Sequence, residues 1–480
     1  MDTPVSPLAP EVLERDDLRR ALDEHDFAAA FTLIKKWAGL SQNKIATACH
    51  LTPGKVSNII AGQHQITSIA VIRRIADGLG IPGALLGLAP RPWERRTPPP
   101  TQLPTEDRQP SEEVPWRPDA TVGQADHLTR SDLVMNRRAA TRALSAAAIT
   151  GAALLDTLEG WLQPASADSR LRRRGRLAER DLDALEATAR AFRTWDHQYG
   201  GGVRRKAILG QLSEVAAALE EHQSTPIERR LYGVMAQLAG SAATMAWDSG
   251  LQRRAQDYYR VALRSAHAAG DTLFGANVLA GMARQMLYAD HPQDALELVR
   301  LAQDGARTTA GPRLRAMLHT REAWAYAAMG RHAAFKRAST QAEEALSSAG
   351  PDEEPYWIHY FDTAELAGVT GGRLLDLART DPHQHAPAAA QEIRTALDQR
   401  GPEASRSHAL DWIGLAECAF LLGDVTGAAE TTVHAVSAAA HTQSGRVRHQ
   451  LALLYPYTVG RDVPGPLREA RDQIRDLLAN

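Results

Sequence analysis

The sequence predicts an all-α protein, with a small helical domain near the N-terminus and a long run of paired helices behind it. Three observations predict it. Helix formers, alanine above all, are abundant, while aromatics make up only 5% of the 480 residues. Such a mix favours helices that approach each other closely. Apolar residues recur at the i, i+3, i+4 spacing of helices, with no convincing strand alternation. Short helix breaks return at even intervals in the second half of the chain.

Taken in order, residues 1–26 read as an acidic N-terminal helix (LERDDLRRALDEHD), with eight acids against three bases. Residues 27–90 read as a bundle of five short helices. They carry Lys35, Lys36, Lys44, Lys55, Arg73 and Arg74 against Asp77 alone. A compact basic module in a chain of net charge −2 is the electrostatic footprint of a phosphate-binding domain. Residues 91–130 are rich in proline and charge and read as an extended or disordered linker. Such a tether lets the basic module adjust its position. Residues 131–170 read as a connecting helix, and residues 171–480 as helical repeats.

The stretch LSQNKIATACHLTPGKVSNIIAG (residues 40–62) carries a mechanism. Ser41 is placed to cap one short helix, with Ile45, Ala46 and Cys49 on a single face. A tight turn follows at His50-Leu51. Thr52 can cap the next helix, and Pro53 suits its first position. Val56, Ile59 and Ile60 share the inner face of that helix, which leaves Gly54, Lys55 and Asn58 outward; Gly62 ends it. Phe31, Ile34 and Ala38 upstream, and Ile69, Ile72, Ala76 and Leu79 downstream, supply the rest of a core. Two short helices crossing at a tight turn, one with an outward polar face, form a helix-turn-helix whose second helix fits the major groove of DNA.

These residues resemble the Xre-type (phage-repressor-like) helix-turn-helix family. The resemblance rests on Leu40-Ser41-Gln42, Ile45-Ala46, Val56-Ser57, Ile59, Gly62 and Arg74-Ile75-Ala76-Asp77-Gly78-Leu79-Gly80. The whole layout is similar to a group of actinobacterial regulators with this domain ahead of a tetratricopeptide-like region. The resemblance implies double-stranded DNA as partner. It places Gln42 against a phosphate or against the recognition helix, and Thr52, Pro53, Gly54 and Lys55 at the helix end nearest the bases. Asn58 would reach a base edge or a phosphate, and Ser57 would add a backbone contact. His50 stands where the family has glycine, and Pro53 and Gly54 replace side chains that often read bases. One such domain covers a few base pairs, so a homodimer on a roughly palindromic site is expected.

In the second half, breaks fall at Gly250, Asp290 and Gly330, and again at Gly423, each between an apolar helix and an alanine-rich one. The pattern resembles the tetratricopeptide repeat with longer helices; another α-solenoid fits it as well. The cluster Tyr356, Trp357, His359, Tyr360 and Phe361, read as adjacent rows of one helix, is the candidate pocket for a peptide, small molecule or protein. Packing between repeats is its alternative, and ordinary repeat packing is the reading of Tyr258-Tyr259.

No Gly-rich phosphate loop, no GxSxG elbow and no paired metal-ligand motif is present in the sequence. An enzyme, a cofactor and a metal are therefore not expected. His383 and His385 read as part of a solvated loop, and Cys418 as core. Cys49 and Cys418 give neither a disulfide framework nor a zinc spacing. The N-terminus lacks a secretory n-region. A cytoplasmic protein is expected.

The stretch NRRAATRALSAAAITGAALLDTLEGWLQ (Asn136–Gln163) pairs arginines with an apolar run, as export signals do. A membrane span needs about 20 predominantly apolar residues, and this run is shorter and mostly alanine. It reads instead as a small-residue helix, with Ala143, Ala147, Gly151 and Leu155 on one face as a candidate dimer seam. The expected function is a sequence-specific transcription regulator whose repeats sense a ligand or peptide, mediate dimerisation, or both. The alternatives are a DNA-binding protein whose repeats are only an interaction scaffold, and an enzyme with an accessory DNA-binding domain.

Overall fold

A computed structural model of the chain describes residues 8–479 apart from 65, 67, 89–90, 95–114, 136, 165–174, 176, 200–204, 351–353, 402–403, 443 and 461–463. Among them the regular structure is helical throughout. The N-terminal domain holds α1 (Pro10–Leu13), α2 (Asp16–Asp23), α3 (Phe27–Trp37), α4 (Gln42–Ala48), α5 (Pro53–Ile60) and α6 (Ile69–Leu79). A 3-10 turn, Gly83–Leu86, closes it. The acidic segment is not one helix, since Arg15 is extended and separates α1 from α2. Leu8, Val12, Leu18 and Leu22 of that segment share one buried cluster with Phe31, Ile34, Ile45, Val56, Ile72 and Leu79.

The next helices are α7 (Pro118–Leu133), α8 (Arg137–Ser145) and α9 (Ala152–Leu155). They correct two expectations. Much of the linker's second half is helix: α7 buries Val122, Ala125 and Leu128 and packs on the repeats. The remainder of the proline-rich stretch, 95–114, lies outside the described residues. The segment expected as one connecting helix is broken between Ser145 and Ala152. There the side-chain amide of Gln256 accepts from Ile149 N–H at 2.7 Å and donates to its carbonyl at 2.8 Å. Gly151 adopts φ +64°, ψ −151°, a conformation essentially restricted to glycine, and its N–H donates to Asp294 at 2.7 Å. These tertiary partners satisfy the backbone that a helix would have satisfied locally. Ala143, Ala147, Gly151 and Leu155 therefore share no helix face. Trp161 is instead wedged against Gly275 and Gly305.

The repeats comprise α10 (Glu179–Tyr199), α11 (Arg205–Glu220) and five helical hairpins. These pair α12 (Thr225–Asp248) with α13 (Gln252–Ala269), α14 (Thr272–Tyr288) with α15 (Pro292–Gly305), and α16 (Pro312–Ala328) with α17 (His332–Ser347). The last two pair α18 (Thr363–Ala378) with α19 (Pro382–Gln399), and α20 (Ser405–Leu421) with α21 (Val425–Ala440). Then come α22 (Gly445–Leu454) and α23 (Gly465–Ala479). The breaks read from the sequence are the hairpin turns: Gly250, Asp290, Gly330 and Gly423 all have positive φ, from 60° to 79°. The α18–α19 turn, around Thr380, has no such residue, which is why the spacing did not announce it. First helices stack on first helices, α12 on α14, α14 on α16, α16 on α18 and α18 on α20. Each hairpin's apolar face is buried by its neighbours, and the buried residues fall into a large cluster reaching as far as α18 and two smaller ones over α18–α20 and α20–α23. The array closes on itself at Asp248, the last residue of α12, which is ion-paired with Arg406 (3.2 Å) and Arg446 (2.9 Å). Helix α10 crosses the inside and touches both α12 and α20. No described helix is long and apolar enough to cross a membrane.

Candidate nucleic-acid interface

Local sequence sets the reading head. Ser41 Oγ accepts from Lys44 N–H at 3.3 Å and starts α4; Thr52 Oγ1 accepts from Lys55 N–H at 3.3 Å and starts α5, with Pro53 in the first turn. Each cap satisfies a backbone donor that a helix end leaves free. Ile45, Ala46, Cys49, Val56 and Ile59 are buried. Thr52, Pro53, Gly54, Ser57 and Asn58 are exposed on α5, while Lys55 and Gln42 are half-exposed. The structure thus brings all seven residues expected at DNA onto the α4–α5 unit. His50 holds the turn in the left-handed region, φ +50°, and its carbonyl accepts from Arg74 Nη1 at 3.1 Å.

Residues 26–88 match a family described as a helix-turn-helix domain. No curated protein and no solved structure matches the chain. The N-terminal part is thus a helix-turn-helix domain, and it points to a DNA-binding regulator.

The basic footprint is smaller than the sequence count implied. Arg73 pairs with the fully buried Glu297 of α15, through Nε at 3.0 Å. Arg73 belongs to a second surface, by which the helix-turn-helix domain docks on the repeats. Ser68 Oγ donates to Asp304 at 2.9 Å, and Arg331 Nη2 donates to the carbonyl of Ala84 at 3.0 Å. Arg331 and Arg337 also face Asp23 and Glu24, each at 3.3 Å. Sequence reasoning expected a freely tethered domain and missed this contact. No local pattern marks it, because its halves lie more than 200 residues apart.

His25 sits at the centre of the docking surface. Its Nε2–H donates to the Leu86 carbonyl at 2.7 Å, and its Nδ1 accepts from Tyr326 O–H at 3.1 Å. Tyr326 in turn accepts from Arg300 at 2.9 Å. This chain of donors requires neutral imidazole. Burial, with Arg300 and Arg331 nearby, pushes His25 down to about 3. A folded-state value below the ordinary 6.5 makes docking fully stable above pH 6.5 and progressively weaker as pH falls from 6.5 toward 3. The slope is at most about 1.4 kcal/mol per pH unit. Denaturation between pH 5 and 7.5 should show this slope in the wild type and a flatter one in His25→Asn, asparagine being tolerant of the left-handed backbone here (φ +53°). Parallel pH profiles for the two proteins would refute the role of His25. Beside this contact lies a cavity of about 950 Å³, walled by both domains and including Phe27, Ile59 and His64 opposite Arg315, His319 and Glu322.

The aromatic cluster disperses. Tyr356–Ile358 is a 3-10 turn, and α18 begins only at Thr363, so the five residues do not share one helix. Trp357 and Phe361 are core, at 5% and 0% exposure. Tyr356 O–H donates to Gln237, and exposed His359 bonds the Glu354 carbonyl at 2.6 Å. Tyr360 alone of the five lines the space enclosed by the repeats. His383 and His385 lie in the first turns of α19 rather than in a loop. Cys49 and Cys418 are buried free thiols.

Proposed function

We propose that the protein is an Xre-type transcription regulator that reads double-stranded DNA with α5, in the cytoplasm and as a homodimer. Its tetratricopeptide-like repeats hold the reading head and respond to a ligand. The observation that carries this reading is the division of the helix-turn-helix surface. The α4–α5 face is polar and exposed, whereas the opposite side, Ser68, Arg73 and Ala84, is bonded to α15 and α17. A domain docked in this way takes its position from the repeats. Two copies reading half-sites about one DNA turn apart would then have their spacing set by the repeat domain, which is where a ligand would act.

Lys55 and Asn58 are the side chains assigned to bases or phosphates, Gln42, Thr52, Pro53, Gly54 and Ser57 to the surrounding backbone contacts. Losing two such contacts costs about 1–3 kcal/mol each. Lys55→Ala with Asn58→Ala is therefore expected to weaken binding to the protein's chromosomal targets by at least about tenfold. The targets are found by crosslinking and immunoprecipitation, and affinities measured by mobility shift at stated salt. Equal affinities for the double variant and the wild type would remove these assignments, and an absence of mapped sites would remove the reading.

A further inference from the structure

Helices on the inside of the array contribute a row of arginines: Arg284 from α14, Arg321 from α16, Arg373 from α18, Arg406 from α20 and Arg446 from α22. Arg193 of the crossing helix α10 joins them. Two cavities, of about 60 and 170 Å³, share Arg284, Arg321, Tyr360 and Arg406 as walls. Part of this charge is answered within the protein. Arg406 and Arg446 hold Asp248, Arg400 holds Glu365 (2.7 Å) and Asp411 (2.5 Å), and Arg373 faces Asp376 at 3.0 Å.

Two arginines lack a direct ion pair, with the buried Glu365 within electrostatic reach of both. Arg321 is only 3% exposed, and among the described residues no ion pair or hydrogen bond engages it. Arg284 lies over the Trp247 ring at 5.1 Å, and its Nε is buried with no hydrogen-bond partner. An unpaired buried charge is among the most costly groups a core can hold. A ligand that supplies the missing acceptors would offset that cost. The leftover charge is positive, is built from planar donor forks suited to phosphate and carboxylate, and faces a small enclosed space.

We infer that this arginine chamber is a binding site for a small polyanion, a phosphorylated or multiply carboxylated molecule held by Arg284 and Arg321. An extended peptide does not fit the same place, because α10 already crosses the inside from α12 to α20. The inference deepens the ligand response proposed above and rests on that reading only for its consequence at DNA. The site itself is independent of DNA. Burial and the neighbouring Arg284 pull the Arg321 guanidinium below its ordinary range, by more than Tyr360 and Glu365 offset. Asp411 is pushed up to about 7 by its burial, so it is only partly ionised near neutral pH. Arg321 is also next in sequence to Glu322, which pairs with Arg300 at the docking surface, so one helix carries both sites.

The test uses the full chain and two probes, inorganic pyrophosphate and citrate, titrated calorimetrically at constant ionic strength against chloride. Saturable binding is expected, weakened at least tenfold in Arg321→Gln and in Arg284→Gln. Tighter binding of pyrophosphate assigns a phosphorylated ligand; tighter binding of citrate assigns a polycarboxylate. Without ligand, Arg321→Gln is expected to melt about 2 °C higher than wild type, because it removes an uncompensated charge. A merely structural arginine would give the opposite sign. Absence of saturable binding by either probe, binding unaltered by both substitutions, or a lower melting temperature for unliganded Arg321→Gln overturns the inference. A DNA affinity that ignores a saturating probe overturns only the link to DNA. Failure to bind DNA at all sinks the proposed function and leaves the chamber standing.

Discussion

Asp248→Ala is expected to lower the stability of the repeat domain by about 3–5 kcal/mol. Asp248 ends α12 and its side chain is only 2% exposed. Its two oxygens face Arg406 at 3.2 Å and Arg446 at 2.9 Å, both guanidiniums being nearly as buried. Burial pushes the Asp248 carboxyl upward, but Arg446 and Arg406 more than cancel this and hold it below its ordinary range. Removing the carboxylate leaves two buried cations facing each other, with Asp196 as the remaining acid near them. The loss is local in sequence and long-range in effect, because this cluster joins the first hairpin to α20 and α22. Hydrogen exchange should speed up in those helices, and the urea midpoint should fall. A change below about 1 kcal/mol would show that closure of the array is held by apolar packing instead.

Gly78→Ala is the second large effect, expected to cost about 3 kcal/mol or more in the helix-turn-helix domain. A Cβ at position 78 would stand 1.9 Å from the carbonyl oxygen of Ala48. That atom is backbone at the end of α4 and cannot rotate aside, so α4 and α6 must separate. The His50 turn is two residues further on and is tied to α6 by Arg74. The substitution should therefore weaken DNA binding although Gly78 is not among the residues assigned to DNA. Gly54→Ala is the control: it has open space on α5 and should leave stability within about 0.5 kcal/mol. Equal melting temperatures for Gly78→Ala and the wild type would mean that α4 can shift without cost.

The sequence by itself determined whatever depends on neighbours along the chain. Ser41 and Thr52 cap α4 and α5 as their positions demand. The buried faces of α4, α5 and α6 follow from the spacing of Ile45, Val56, Ile59 and Ile72. The hairpin turns stand where Gly250, Asp290, Gly330 and Gly423 put them, because positive φ is a local preference. Even so, local reading erred where distant groups offered the backbone a better partner. Ala146–Thr150 gives up helix for Gln256 and Asp294, and the aromatic run 356–361 is split between core and surface by the junction of two hairpins.

Only the tertiary structure decided the rest. It tied Arg73 to Glu297, docked the helix-turn-helix domain on the repeats, and gathered Arg284, Arg321 and Arg406 from three repeats into one chamber. The reason is range. Caps, turns and helix faces are set by energies acting within about four residues. Buried charge is settled by whichever opposite charge the fold brings alongside, and for Asp248 and Glu297 those partners are 158 to 224 residues away.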